Sequence, residues 1–325
     1  MKKKTLALVI PVLLGLVQPQ TGEAIRVHRA YRIGALVSED FFLPAFEGFK
    51  AKMTEMGYAE GKNIQYHLRN AKGDGEALQE LAQKLVQEKP DLIVTSGTTA
   101  TISIAKATEK TPIPVVFLSA GNPLGFVKSY ASSGNNITGI STAILDLAPK
   151  RLELLKELAP SVKRVASIDN PHGLNYKDHL LVVREGARRL GLELWEINVA
   201  DKKEIEQVIS AITRKATDAV FLAPDRVVTG NIEAFVKQSI KEKLPLIPPP
   251  AAFNLGGLAT FGHNYYALGQ QGASLVGKIL KGARPSDLPI EQPAKLRLMI
   301  NLRTAKAIGL KIPKEILLRA DEVIE

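Results

Sequence analysis

Short β-rich runs alternate with helical patterns twice along this chain, and that alternation restricts its fold more than any other feature. In the first series, Tyr31–Val37, Asn63–Leu68, Asp91–Thr95 and Ile113–Leu118 read as strands. Between them, Pro44–Met56 sets Phe46, Phe49, Met53 and Met56 at helical spacing, and Gly57 ends the run. Glu76–Glu88 does the same with Leu78, Leu81, Leu85 and Val86. A third helix is expected between Thr95 and Ile113. Leu92-Ile93-Val94 is apolar without alternation, as in a strand covered on both faces. Such a βαβαβαβ series implies a parallel sheet with right-handed crossovers.

The same order restarts downstream. Helices are expected at Lys150–Leu158, His179–Leu190, Lys203–Lys215 and Ile232–Glu242. Strands are expected at Arg164–Ile168, Leu192–Ile197, Ala219–Leu222 and Pro245–Ile247. The halves share no residue-level repeat, so the expected fold is α/β, with two Rossmann-like doubly wound lobes. A chain of 325 residues is long enough for two cores. Asn135–Asp146 is rich in Gly, Asn, Thr and Ser without helical period, and reads as a crossover between lobes. Pro248–Thr260 and Gly282–Pro293 are the other Gly/Pro-rich candidates.

The first residues have the pattern of a secretory leader. Lys2-Lys3-Lys4 precede an apolar Leu6–Val17, too short to span a bilayer comfortably and broken by Pro11 and Gly15. Gly22-Glu23-Ala24 offers small residues for a cut, so residues 1–24 are expected to be a signal peptide removed near Ala24. No later apolar stretch is long enough to cross a membrane, so no stable insertion is expected after cleavage. The sequence contains no cysteine, which excludes disulfides, Cys-ligated metals and lipid attachment at a cysteine. A soluble periplasmic location is expected.

The formal net charge is +10, but cations and acids are interleaved, as in Lys150-Arg151-Leu152-Glu153-Leu154-Leu155-Lys156-Glu157. A nucleic-acid partner would need its cations on one face, and none is expected. The chain carries no HExxH, GxSxG, P-loop or GxGxxG. His28, His67, His172, His179 and His263 are scattered, and a shared metal is not expected for His172 and His179. No cofactor and no catalytic residue is expected, with an enzyme on the same scaffold as the alternative class.

Several stretches, in this order, resemble the ABC-transporter substrate-binding family that includes tryptophan- and tyrosine-binding members. They are Glu47-Gly48-Phe49, Glu60–Ile64, Pro112–Phe117, Asn136–Ser141 and Lys150–Lys156, then Lys278–Pro285, Asn301–Ala307 and Leu318–Glu325. The resemblance covers nearly all of the chain after the leader. It implies the type I periplasmic-binding fold, with two lobes joined by a multi-strand hinge that closes on a small polar or partly aromatic molecule. It implies an N-terminal lobe of 31–143 plus 263–281 and a C-terminal lobe of 144–262 plus 282–325. It further implies an inner-membrane ABC permease as partner and action as a monomer. A freestanding binder that reports to a receptor is the alternative role.

Ligands of open α/β sheets sit beyond the carboxyl ends of the strands. That rule selects Ser38 and Phe41 after the first strand, and Ser96, Thr98 and Thr99 after the third. Free N–H groups and hydroxyls at a helix start favour an anionic group, although Thr98 or Thr99 could simply cap the helix. The rule also selects Ser119, Asn170 with Tyr176, and Asp225, for which capping of the next helix is the competing role. The resemblance adds Ser141 and the segment Phe261–Tyr266, with Asn264 and Tyr266. Asn122 and Asn264 stand where members of the family frequently carry Asp. An amide offers donors and acceptors but no charge, so these two positions argue for a ligand less cationic than a free amino acid.

Overall fold

The computed structural model describes residues 29–325. The expected leader and its cut lie outside the described residues. The first strands are β1 (Tyr31–Val37), β2 (Ile64–Asn70), β3 (Leu92–Ser96), β4 (Val115–Ala120) and β5 (Ile137–Ser141). They form one parallel sheet in the order β2-β1-β3-β4-β5. Strands β3, β4 and β5 are buried at every position, which explains the apolar reading of β3 and β4. Helices α1 (Leu43–Glu55), α2 (Gly75–Gln87) and α3 (Thr98–Thr108) make the crossovers. Pleating sends Ile33, Ala35 and Val37 to the face covered by Phe46, Phe49 and Met53 of α1. Leu36, Ile93 and Val115 turn to the other face, under Leu78 and Leu85 of α2 and Ile104 of α3.

The second unit repeats the plan. After α4 (Ile144–Leu158) come β6 (Arg164–Asp169), α5 (Tyr176–Arg189), β7 (Glu193–Asn198), α6 (Lys202–Ala211) and β8 (Ala219–Leu222). Then follow α7 (Arg226–Thr229), α8 (Ile232–Lys241) and β9 (Leu246–Ile247). The four strands are parallel in the order β7-β6-β8-β9. The chain continues through β10 (Ala259–Gly262), α9 (Tyr265–Leu280), β11 (Arg297–Asn301), α10 (Leu302–Ile308), α11 (Lys314–Arg319) and β12 (Glu322–Ile324). Strands β10, β11 and β12 form a small sheet of their own, which shares a core with α4, α5 and β9.

Three expectations change. Asn135–Asp146, read as a crossover between lobes, contains regular structure: Ile137–Ser141 is β5 and α4 already begins at Ile144. Only Thr142 and Ala143 stand between β5 and α4, and Ala143 turns the chain at φ +49°. Strand β5 escaped notice because Gly139 and two threonine or serine residues dilute the apolar run. The second change concerns 282–293. Ile290 donates to the Tyr130 carbonyl (2.7 Å) and Glu291 N–H to that of Gly139 (2.9 Å), while Ser141 N–H donates back to Glu291 (2.8 Å). This segment therefore runs along the free edge of β5 and covers it. Its partners lie in the first unit, whereas the expected boundary assigned everything after 281 to the second. Third, Lys203–Lys215 is helical only to Ala211, beyond which Ile212 is extended (ψ 89°).

Helix α9 leaves the second unit and returns to the first, where it lies on α1 with backbone against backbone. A methyl group at Gly269 would sit 1.8 Å from the Ala45 carbonyl oxygen, and one at Gly48 2.0 Å from that of Tyr266.

Candidate functional site: a cleft between two sheets

In both parallel sheets the order in which strands are added reverses at one point, between β1 and β3 in the first and between β6 and β8 in the second. Ligand sites of doubly wound folds lie outside the strand ends at this switch. The two switch points face each other across a cavity of about 280 Å³. The first unit contributes Ser38, Glu39, Phe41 and Phe42, the first turn of α3, and the Ser119-Ala120-Gly121 end of β4. The second contributes Asp169, Asn170, the loop 172–176, His179 and Ala223–Val227. Thr142, Ile144, Pro249, Ala251 and Tyr265 close the hinge side.

Of the residues singled out in the sequence, Ser38, Phe41, Thr98, Thr99, Ser119, Asn170, Tyr176 and Asp225 line this cavity. Five lie off its wall. Ser96 is buried one layer below, where its hydroxyl meets that of Ser119 (3.0 Å). Ser141 is buried beside the Tyr130 hydroxyl (3.3 Å). Asn122 opens a single 3₁₀ turn past the rim. Asn264 caps α9, its side-chain oxygen accepting from Ala267 N–H (3.0 Å). Tyr266 is 42% exposed, because one helical step turns it away while Tyr265 faces the cavity. The inference of a weakly cationic ligand from Asn122 and Asn264 therefore loses its basis.

Of the charged residues that line the cavity, Asp225 was singled out in the sequence, whereas Glu39, Asp169 and Arg226 were not. Glu39, Asp169 and Asp225 are carboxylates there, and Arg226 is a cation at the mouth. Asp225 caps α7: one oxygen accepts from Val227 N–H (2.7 Å) and from the Asn170 amide (3.1 Å). Capping and cavity lining thus coexist at this residue. Asp169 accepts from Ser167 (2.8 Å) through one oxygen and from the ring of His179 (2.6 Å) through the other. Glu39 is buried, and burial pushes its carboxyl up to about 7, with Asp225 adding to the rise and Arg226 opposing it. Burial also raises the Tyr265 hydroxyl, with Glu39 contributing. Glu39 and Tyr265 stand in stretches to which the sequence pointed, but their neighbours were the residues singled out, because a loop rule cannot say which side chain points inward.

The opposite pole is the start of α3. Gly97 takes φ +97°, and a methyl group there would strike Ser38 Oγ at 2.1 Å, so glycine lets the helix start abut the end of β1. The Thr98 hydroxyl accepts from Gly121 N–H (2.8 Å), which leaves its own hydrogen free to donate. With the N–H groups of the first helical turn, these hydroxyls favour an anionic group.

Behind the floor, Arg151 of α4 is fully buried, lies 4.7 Å over the Phe221 ring and donates to the Leu222 carbonyl (3.3 Å). Burial lowers it to about 9, although nearby Asp169 opposes the fall. His263 is also buried, and burial holds it down at about 3. It stays neutral in the fold, so lowering the pH from about 6.5 toward 3 must weaken the protein through this residue.

The units touch across the cleft. Arg226 Nη1 donates to the Gly73 carbonyl (2.5 Å) of the first unit. The Asn175 amide meets Gly121: a methyl group there would come within 3.3 Å of Asn175 Nδ2 and 3.2 Å of Ile144 Cγ2. A larger side chain must hold the units apart. Gly121→Val is expected to fold normally yet lose at least about ten-fold in ligand affinity, through lost closure. Small-angle scattering would find no compaction in this variant, and normal compaction would contradict the geometry.

A family model described as ABC transporter substrate binding protein matches residues 32–324. The chain is 28% identical over 282 residues to a tyrosine-binding protein of Clostridioides difficile (strain R20291), covering 86% of this chain and 80% of that one. Its fold is similar to that of an ABC domain from Streptococcus pneumonia in complex with L-Trp, with TM-score 0.82 and 26% identity over 91% of this chain and 100% of the other. It is also similar to a ligand-free, open structure of a Clostridium difficile substrate-binding protein with adhesive properties. There the TM-score is 0.71, at 27% identity over 91% of this chain and 99% of the other. With two facing parallel sheets, a cleft at their switch points and this family match, the chain belongs to the ABC transporter substrate-binding proteins.

Proposed function

We propose that this substrate-binding protein captures a zwitterionic amino acid with an aromatic side chain and delivers it, as a monomer, to an ABC permease. The observation that carries the reading is the polarity of the cleft. The α3 start with Ser38, Thr98 and Thr99 suits a carboxylate, and Glu39 and Asp225 on opposite walls suit an ammonium. Phe41, Phe42, Tyr176 and Tyr265 provide apolar faces for a ring. The tyrosine and L-Trp of the related proteins have this chemistry. The higher similarity to the L-Trp complex than to the open structure, at nearly equal identity, agrees with a closed arrangement. The moving bodies in this reading are 31–143 plus 263–291 and 144–262 plus 297–325, and the leader directs export to the periplasm. Mass spectrometry of the small molecule released from periplasmic protein tests the reading: an aromatic amino acid is expected, and a sugar or a dicarboxylate would overturn it.

A pH dependence follows from Glu39. Raised to about 7 in the closed cleft, its carboxyl is largely protonated in mild acid. A ligand ammonium beside it favours the carboxylate, so binding expels a proton between about pH 5 and 7. Affinity should climb with pH through that window and level off above it. Glu39→Gln should flatten the curve, and titrations in buffers of different ionisation enthalpy would read the released proton. Without ligand the raised value acts on the fold in the opposite sense. Its contribution is complete below about 4.5 and is lost as pH rises through 7.

A further inference from the structure

The aromatic amino-acid reading leaves one group of the cleft unexplained. His179 is 1% exposed and lines the cavity, yet among the described residues its Nε2 meets no donor or acceptor. Its other nitrogen is committed to Asp169 (2.6 Å). A carboxylate only accepts, so that nitrogen carries the hydrogen, and in this tautomer Nε2 is the acceptor. Asp169 is itself held by Ser167 (2.8 Å), and the ring lies parallel to Phe221, so the imidazole is fixed in place and tautomer. Four residues earlier, at the N-cap of α5, the side-chain oxygen of Asn175 is also buried without a partner among the described residues, and Asn175 lines the cavity as well. A buried acceptor left unpaired is costly, and two at the start of α5 beside a cavity are explained by a donor that enters it.

We infer that His179 Nε2, held by the Ser167–Asp169 pair and seconded by Asn175 Oδ1, accepts a hydrogen bond from an N–H or O–H group of the ligand. The couple is thus a specificity device: it favours ligands that bring a donor to the α5 end of the cleft. The assignment rests on the aromatic amino-acid reading above and narrows it. Two donors of such a ligand have the required chemistry, the ring's phenol O–H or indole N–H and the ammonium. His179 acts on selectivity, because a site built around a hydrogen bond rejects an analogue that leaves its buried acceptor unpaired.

The test compares affinity ratios, which a merely structural role would not move. Wild type and His179→Phe are titrated with L-tyrosine, L-phenylalanine, L-tryptophan, 1-methyl-L-tryptophan and 3-(4-hydroxyphenyl)propionate. If the ring donor is read, wild type prefers tyrosine over phenylalanine, or tryptophan over its 1-methyl form, by about ten-fold, and the variant loses that preference. If the ammonium is read, the variant instead narrows the gap between tyrosine and its desamino analogue by about ten-fold. Equal ratios in wild type and variant, with affinities merely scaled down together, overturn the assignment and leave the ligand reading intact. If none of the five compounds binds wild type, the ligand reading fails and the assignment fails with it. Losing the Asp169 partner can unfold the variant, so ¹⁵N spectra of the histidine rings in wild type give a second readout. The Nε2 resonance of His179 should move on saturation with L-tyrosine or L-tryptophan, and a resonance that stays in place contradicts the assignment.

Discussion

Gly269→Ala should destabilise the protein by about 3 kcal/mol, the upper end of what one added methyl costs a packed interior. Most alanine substitutions on a helix are mild or favourable, because alanine is the better helix former. Here the new methyl would lie 1.8 Å from the Ala45 carbonyl oxygen and 2.7 Å from Phe49 N. Those atoms belong to the backbone of α1, which cannot rotate out of the way as a side chain would. Helices α1 and α9 must therefore separate, and Leu268, Ala273 and Val276 would lose contact with the core shared with Phe46, Phe49 and Met53. A melting temperature lower by roughly 5–10 °C is expected by circular dichroism. Gly75→Ala is the control, since nothing lies within 4 Å of a methyl there, and its melting temperature should match wild type. The displacement also reaches the cleft, because Tyr265 stands on the first turn of α9. A Gly269→Ala protein that melts within 2 °C of wild type would show that the two helices are not in backbone contact.

Asp225→Asn should lower affinity for L-tyrosine or L-tryptophan by about 100-fold while leaving the melting temperature unchanged. The asparagine keeps a side-chain oxygen for Val227 N–H, so the start of α7 stays capped. What is lost is the charge that, with Glu39 on the facing wall, compensates a ligand ammonium removed from water. An uncompensated buried ammonium costs several kcal/mol. Calorimetric titration decides the matter. An affinity within three-fold of wild type would place the ammonium elsewhere in the cleft.

The two halves of the fold were legible in the sequence because parallel strands buried on both faces leave unbroken apolar runs, as in Leu92-Ile93-Val94 and Ala219-Val220-Phe221-Leu222. Strand β5 was not legible, since glycine and hydroxyl residues interrupt it and its burial comes from tertiary neighbours, among them the 282–291 segment that covers its edge. The small sheet of β10, β11 and β12 escaped because its strands are three to five residues long and pair across gaps of tens of residues. For the cleft, the strand-end rule found the right loops and only part of the side chains that line them. It reached Asp225, Thr98 and Tyr176, but Glu39 and Tyr265 stood beside chosen residues, and His179 lies within a helix, one turn past Asn175. Its role in the wall depends on Asp169, ten residues earlier on another element, and no local pattern links the two.

The most direct test of the account is calorimetric titration of wild-type protein with L-tyrosine and with L-tryptophan at pH 7.5. A receptor whose cleft sets the α3 start against Glu39 and Asp225 should bind at least one of them at a single saturable site. Absence of heat with both, in protein shown by mass spectrometry to carry no other small molecule, would contradict it.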